Sequence, residues 1–191
     1  MKEQVWFTAD THFGHNKIAQ MRGFADAAAH DEEIIQRWNA VVTPGDQVVH
    51  LGDVAMCSPT VFWPLVDRLH GEIHLITGNH DKPWPGHRDA HRRQCEWMGH
   101  FASVQAYATR SLGGRHVLLS HLPYSGDHTA VERFEEYRLP DCGTPLLCGH
   151  VHDAWKVHRT AAGTPQINVG LDVWGYAPVS LNMVTALLRE L

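Results

Sequence analysis

A layered α/β fold in a single domain is predicted by three features of the sequence. Short apolar runs alternate with segments of helical periodicity. Five of the runs stop abruptly at polar residues able to bind metal. The 191 residues, 43% hydrophobic and 19% charged, suit one core of ordinary size and exclude a disordered chain.

Residues 5–9 form a compact strand-like run that meets Asp10 at once. Residues 31–42 read as a helix, because Ile34, Ile35, Trp38, Val41 and Val42 recur at helical spacing and acids occupy the first turn. Pro44-Gly45 breaks the chain. A second strand, 47–51, ends in Gly52-Asp53. Residues 59–69 form a second helix, with Ser58 as N-cap and Pro59 at the first helical position. A third strand, 72–77, runs into Gly78-Asn79-His80-Asp81.

Residues 82–100 are Pro-rich, then basic, then helical. Segments 104–110 and 116–119 flank Gly113-Gly114 as a hairpin whose second arm ends in Ser120-His121. Residues 129–137 are polar and read as helical. A strand at 146–148 ends in Gly149-His150-Val151-His152, and 166–169 leads into Gly170-Leu171-Asp172. Residues 180–191 close the chain as a short helix or strand. Without a repeat, low-complexity linker or charge block, residues 1–191 are read as one domain.

The net charge of −5 counts against a general nucleic-acid binder, which carries a basic surplus. Sixteen His, as many as Lys and Arg together, raise the expectation of a metal site. Cys57, Cys95, Cys142 and Cys148 form no C-x-x-C pair and are read as reduced thiols. The start, MKEQVWFTAD, has no secretory apolar region, and no run has the length of a membrane span. A cytoplasmic location and no membrane partner are the resulting expectations.

In α/β folds, ligands collect where strand ends open into loops. Asp10 with His12, Asp53, Asn79 with His80, His121, and His150 with His152 all stand at such ends. Carboxylate, imidazole and amide oxygen without thiolate suit manganese, iron, zinc, cobalt or nickel, and manganese is the favoured expectation. Two such ions about 3.5–4 Å apart clamp an in-line displacement at phosphorus and generate hydroxide near neutral pH. Asp10 and His12 are two residues apart, as are His150 and His152, so an extended chain would aim each pair to one side. Glycines before Asp53, Asn79 and His150 would let the chain turn sharply there.

Asp10-Thr11-His12, Gly52-Asp53, Gly78-Asn79-His80-Asp81, Ser120-His121 and Gly149-His150-Val151-His152 resemble, in order, the five signature blocks of the calcineurin-like metallophosphoesterases. The opening Thr-Ala-Asp-Thr-His-Phe-Gly-His is similar to a subgroup of small bacterial and phage phosphoesterases. The resemblance implies two packed mixed β-sheets flanked by helices. It also implies a first metal on Asp10, His12 and His152, a second on Asn79, His121 and His150, and Asp53 bridging both. His80 would stand beside the phosphate and protonate the leaving group. In the Ser/Thr phosphatase branch, an Asp three residues after the bridging Asp pairs with this His. Here Met56 occupies that position, and Asp81 replaces the Glu that follows the asparagine-histidine pair.

Five further positions and one basic stretch have two readings each. His15 and Asn16 either touch substrate phosphate or start the next helix. Arg22 is either a bidentate phosphate clamp or a surface residue. Asp172 is either a partner that fixes a ligand imidazole or a turn residue, and Trp174 either stacks on substrate or packs. The basic stretch of Lys82, His87, Arg88, His91, Arg92 and Arg93 faces an anionic substrate or forms a solvated helix face.

The expected activity is hydrolysis of a phosphate ester on a phosphorylated small molecule or nucleotide-type substrate, diesters before monoesters. Only residues 82–100 and 123–140 are available for a cap, so an open site is expected. A nuclease or nucleic-acid end-processing enzyme with the same site is the second expectation, and a non-catalytic scaffold the third. The pattern leaves the oligomeric state open.

Overall fold

The computed structural model describes residues 4–191. The reading of a leaderless start rests in part on residues 1–3, which lie outside the described residues. Side-chain alternation in the strands decides how the layers stack. In β1 (Val5–Thr8), β2 (Gln47–His50) and β3 (Glu72–Ile76), successive residues point to opposite faces. Phe7, Val49 and Ile76 enter one core, whereas Val48, Ile73 and Leu75 enter another. Strands apolar on both faces must be covered on both.

One cover is helical. α2 (Ala27–Val41), α3 (Pro59–Val66) and α4 (Ala90–Trp97) bring Ile34, Trp38, Phe62 and Trp97 against the outer face of the first sheet. The other cover is a second sheet, whose Leu119, Leu147 and Ile167 meet Phe7, Val49 and Leu51. The first sheet has the order β10 (Val179–Ser180), β1, β2, β3, β4 (Ser103–Gln105). It is parallel except at β10. The second has the order β5 (Tyr107–Leu112), β6 (Arg115–Ser120), β7 (Leu146–Cys148), β9 (Pro165–Asn168), β8 (Val157–Arg159). Its strands β6, β7 and β9 are parallel, with antiparallel edges. Two mixed sheets flanked by helices are the architecture that the resemblance implied.

Four predicted elements differ in the structure, and β8 is not among the predicted elements. α2 begins at Ala27, because the Asp26 carboxylate accepts the Ala29 amide and nucleates the helix earlier. Residues 104–110 are not one hairpin arm: Ser103–Gln105 pairs with β3, and the chain then crosses to the other sheet before Tyr107. Residues 129–137 hold only a 3₁₀ turn at Glu135–Tyr137. There the Asp127 carboxylate takes the amides of Thr129 and Arg133, competing with helix formation. The closing segment is both strand and helix, since Ser180 ends β10 and caps α5 (Leu181–Glu190). All four cysteines are unpaired. No helix among the described residues is long and apolar enough to cross a membrane.

Trp38 is fully buried, and its indole donates to the His70 carbonyl at 2.9 Å. Trp38→Ala should therefore lower stability by about 3–5 kcal/mol, read from the urea midpoint. A loss under about 1 kcal/mol would show that the helical layer is not packed on this residue.

Candidate metal centre

Parallel strands deliver their C-terminal ends to one edge. β1, β2, β3, β6 and β7 do so here, and a parallel bridge between Ala9 and Gly170 joins the two sheets at that edge. The turns just beyond the strands carry the predicted ligands. Asp10, Asp53, Asn79, His12, His121 and His150 are buried, and His152 is half-buried.

The backbone there is unusual. Asp10, His12, Asp53, His150 and His152 have φ of 61°, 48°, 57°, 71° and 48°. This is the left-handed region that side-chain-bearing residues seldom adopt. The two-residue pairs therefore do not converge by the pleat of an extended strand, as their spacing suggested. They converge because each member sits in a left-handed turn. The glycines also act differently from expectation. Gly52 has φ of 90°, as a sharp turn requires. Gly78 and Gly149 instead provide space, since a Cβ on Gly78 would lie 2.2 Å from Asp53 Oδ1, and one on Gly149 2.6 Å from Asp10 Oδ2.

Two clusters of ligand-type atoms share Asp53. In the first, His12 Nε2 lies 3.8 Å from Asp10 Oδ1 and 3.8 Å from Asp53 Oδ2. These separations are too long for hydrogen bonds and suit groups facing a common cation. Both ring nitrogens of His12 are buried without a hydrogen-bond partner among the described residues. The His152 ring stacks on His12 with centroids 5.1 Å apart. In the second, His121 Nε2 and His150 Nδ1 lie 3.1 and 3.0 Å from Asn79 Oδ1, and His121 Nε2 lies 3.4 Å from Asp53 Oδ2.

The electrostatics match. Burial, above all, pushes the Asp10 carboxyl up to about 6. Burial also drives His12 well below its usual value and His150 down to about 3, which leaves both imidazoles neutral, the form that ligates metal. Burial alone would lower His121 as well, but the Asp53 charge and hydrogen bond lift it to about 9. The edge thus draws positive charge to the side of Asp53 where ligand atoms converge.

A surrounding layer holds these groups in place. His121 Nδ1 donates to the Leu51 carbonyl at 2.7 Å, and His150 Nε2 donates to Asp127 Oδ2 at 3.0 Å. His152 Nδ1 faces Asp172 Oδ2 at 3.4 Å, so Asp172 is the partner of an imidazole and not a bare turn residue. Asp172 in turn accepts Arg22 Nε and Nη2 at 2.8 and 2.6 Å. Arg22 also donates to the carbonyls of Asp10 and Thr11 and to His30 Nε2. Those contacts use every N–H of the guanidinium. Arg22 is therefore neither a phosphate clamp nor a surface residue; it locks the Asp10 turn. Its role was invisible because Asp172 lies 150 residues away.

Two more residues have a supporting role that the sequence reading did not assign. The Asp81 carboxylate accepts the amides of Asp53, Val54 and Gly78 at 2.8–2.9 Å. Burial first, and Asp53 second, push it up to about 7. His50 is kept neutral by burial, near 3, and accepts the Gly52 amide at Nδ1 while its Nε2 reaches Thr11 Oγ1 at 3.0 Å. The only signals available were their positions beside the Gly-Asp and Asn-His blocks.

His80 stands at the mouth with its side chain 41% exposed and Nε2 3.9 Å from Asp53 Oδ2. Its backbone amide donates to Asp53 Oδ1. Met56, half-turned to solvent, provides no polar partner, and no side chain among the described residues hydrogen-bonds the His80 ring. His15 starts a helix, α1 (Asn16–Met21), by accepting the Ile18 amide at Nδ1. Asn16 ties α1 to α2 by accepting the Ala27 amide. Trp174 donates to the Asn168 carbonyl and lies under Lys156, so it packs. Arg88, His91, Arg92 and Arg93 form a solvated face.

A two-sheet sandwich with buried carboxylates and imidazoles at its strand ends is the build of a metal-dependent phosphoric ester hydrolase. The chain belongs to the calcineurin-like phosphoesterase superfamily, whose domain matches residues 4–180. It is 40% identical over 181 residues to the Gene 66 protein of Mycobacterium phage D29, covering 89% of this chain and 88% of that protein. The Gene 66 protein of Mycobacterium phage L5 is 37% identical over 188 residues, covering 90% and 87%. The protein of unknown function AQ665 from Aquifex aeolicus has the same fold, with a TM-score of 0.72 at 23% identity, covering 97% of this chain and all of that one.

Asp81→Ala strands three buried amides and should cost about 3 kcal/mol or more, whereas Asp81→Asn should cost less. Chemical denaturation of the metal-free protein measures this. Equal and small losses would remove Asp81 from its place as the organiser of the Asp53 turn.

Proposed function

We propose that the protein hydrolyses a phosphate ester, diesters in preference to monoesters, with two divalent ions. Asp10, His12 and His152 hold the first ion, and Asn79, His121 and His150 the second, with Asp53 between them. One observation carries this reading. Asp53 Oδ2 has three imidazole nitrogens around it, from His121, His12 and His80, at 3.4, 3.8 and 3.9 Å. Two of those belong to different clusters, as a bridging carboxylate requires.

The donor set of oxygen and imidazole without thiolate is compatible with manganese, iron, zinc, cobalt or nickel, and manganese is the ion proposed. When bound, such ions polarise the phosphoryl group and lower the pKa of water. The chain's residues do the rest. His80, half-exposed beside Asp53, protonates the departing oxygen. His15 accepts at Nδ1, so its neutral ring carries the proton on Nε2, where it can donate to a phosphate oxygen. Asn16 spends its carbonyl on the Ala27 amide and has its amide nitrogen left for such a contact. A cleft of about 200 Å³ beside His152, walled by Ile18, Met21 and Tyr176, gives room for the second ester group. That room supports a diester of a small phosphorylated or nucleotide-type molecule.

Reconstitution with Mn²⁺ followed by metal analysis, with parallel monoester and diester assays, tests the reading. Two ions per chain are expected, and fewer than one would end it. His80→Ala should keep both ions and lose turnover by roughly 10²–10⁴-fold on poor leaving groups. Asp53→Asn should lose metal and turnover together. Full rate in His80→Ala would remove its assigned role.

A further inference from the structure

Beyond the seven ligand positions, residues 127–138 carry Asp127, Glu132, Arg133, Glu135, Glu136 and Arg138. The Asp127 side chain is fully buried there. Its carboxylate accepts the Thr129 and Arg133 amides at 3.1 and 3.3 Å and Arg133 Nη2 at 2.8 Å. Arg138, 5% exposed, stands 3.8 Å away and is itself held by Glu132 and the Arg133 carbonyl. The segment is wrapped around one carboxylate, and the remaining reach of that carboxylate goes to His150 Nε2 at 3.0 Å.

Asp127, His128 and His150 also lie close enough to gather a cation. The Arg133 guanidinium argues against one. It sits 2.8 Å from the Asp127 carboxylate and 3.2 Å from both ring nitrogens of His128, so the positive charge is already supplied. Asp127 serves a different purpose. By accepting from Nε2, it fixes the His150 proton there and leaves Nδ1 unprotonated 3.0 Å from Asn79 Oδ1, two acceptors side by side as ligands of one cation are. His128 adds a second hold, because its Nδ1 donates to the His150 carbonyl at 2.9 Å.

We infer that Asp127, clamped by Arg133 and Arg138, is the positioning residue that sets the tautomer and orientation of His150, and thereby the affinity of the second ion alone. The inference rests on the two-ion reading above. It parallels Asp172, which faces His152 and answers to Arg22, so each ion has its own carboxylate clamp with its own arginine. The folding of residues 127–138 is then linked to occupancy of the second position and not the first.

Titration of the full chain with Mn²⁺ by calorimetry tests this, with ¹⁵N NMR of the metal-free imidazoles as a second readout. The wild type should bind two ions, with His150 carrying its proton on Nε2. Asp127→Asn should weaken one ion by ~10–100-fold and leave the other unchanged. The Nε2–H signature of His150 should be lost with it. Arg133→Gln, at a side chain 39% exposed, should weaken the same ion by a smaller factor if Asp127→Asn fails to fold. Two ions bound by both variants at wild-type strength would overturn the inference. So would equal weakening of both ions, which would mark Asp127 as a support of the fold only. A wild type that binds fewer than two ions would instead fail the two-ion reading, and the inference with it.

Discussion

Left-handed backbone at residues that carry side chains is the constraint on which this edge depends. Seven non-glycine residues have positive φ among the described residues, and five of them are Asp10, His12, Asp53, His150 and His152. Each such conformation costs on the order of 1–3 kcal/mol unless its surroundings impose it. The surroundings do impose it. Arg22 holds the Asp10 carbonyl, Asp81 holds the Asp53 amide, and the Asp10 carboxylate holds the His150 amide at 3.0 Å. The Asn168 amide holds the His152 carbonyl at 2.7 Å. A single buried network therefore fixes turns from both sheets, and the side chains converge because the backbone cannot relax.

The same network explains why the edge tolerates so much buried charge. Asp10, Asp53 and Asp81 are all buried within one neighbourhood, and burial raises the carboxyls of Asp10 and Asp81. Arg22 and Asp172 form one ion pair at the His152 end, and Arg133 and Asp127 form another at the His150 end. Residues 82–100 and 123–140, the two segments free to form a cap, meet through Trp84, Phe134 and Tyr137. They wall the His150 end, and Phe134 lies 5.9 Å from the His150 ring. The His152 end opens instead into the cleft under Met21 and Tyr176. The openness expected from the short chain is therefore one-sided.

Much of this was legible in the sequence, for a physical reason. A strand ending in Gly-Asp, Asn-His or Gly-His-x-His carries both its fold signal and its chemistry in a few adjacent residues, so the rim could be read before any contact was known. What stayed hidden was long-range. Arg22 could not be assigned without Asp172, nor Asp127 without His150, and the failed helix at 129–137 followed from that same carboxylate. The spacing of Asp10 and His12 suggested the right convergence through the wrong geometry, because sequence separation does not report the sign of φ.

The central claim is that Asp53 bridges two ions rather than serving one. Low-temperature electron paramagnetic resonance of the chain loaded with two equivalents of Mn²⁺ tests it most directly. The account predicts the multiline signal of an exchange-coupled pair, which collapses to uncoupled or absent manganese in Asp53→Asn. Isolated, uncoupled Mn²⁺ signals in the fully loaded wild type would contradict it.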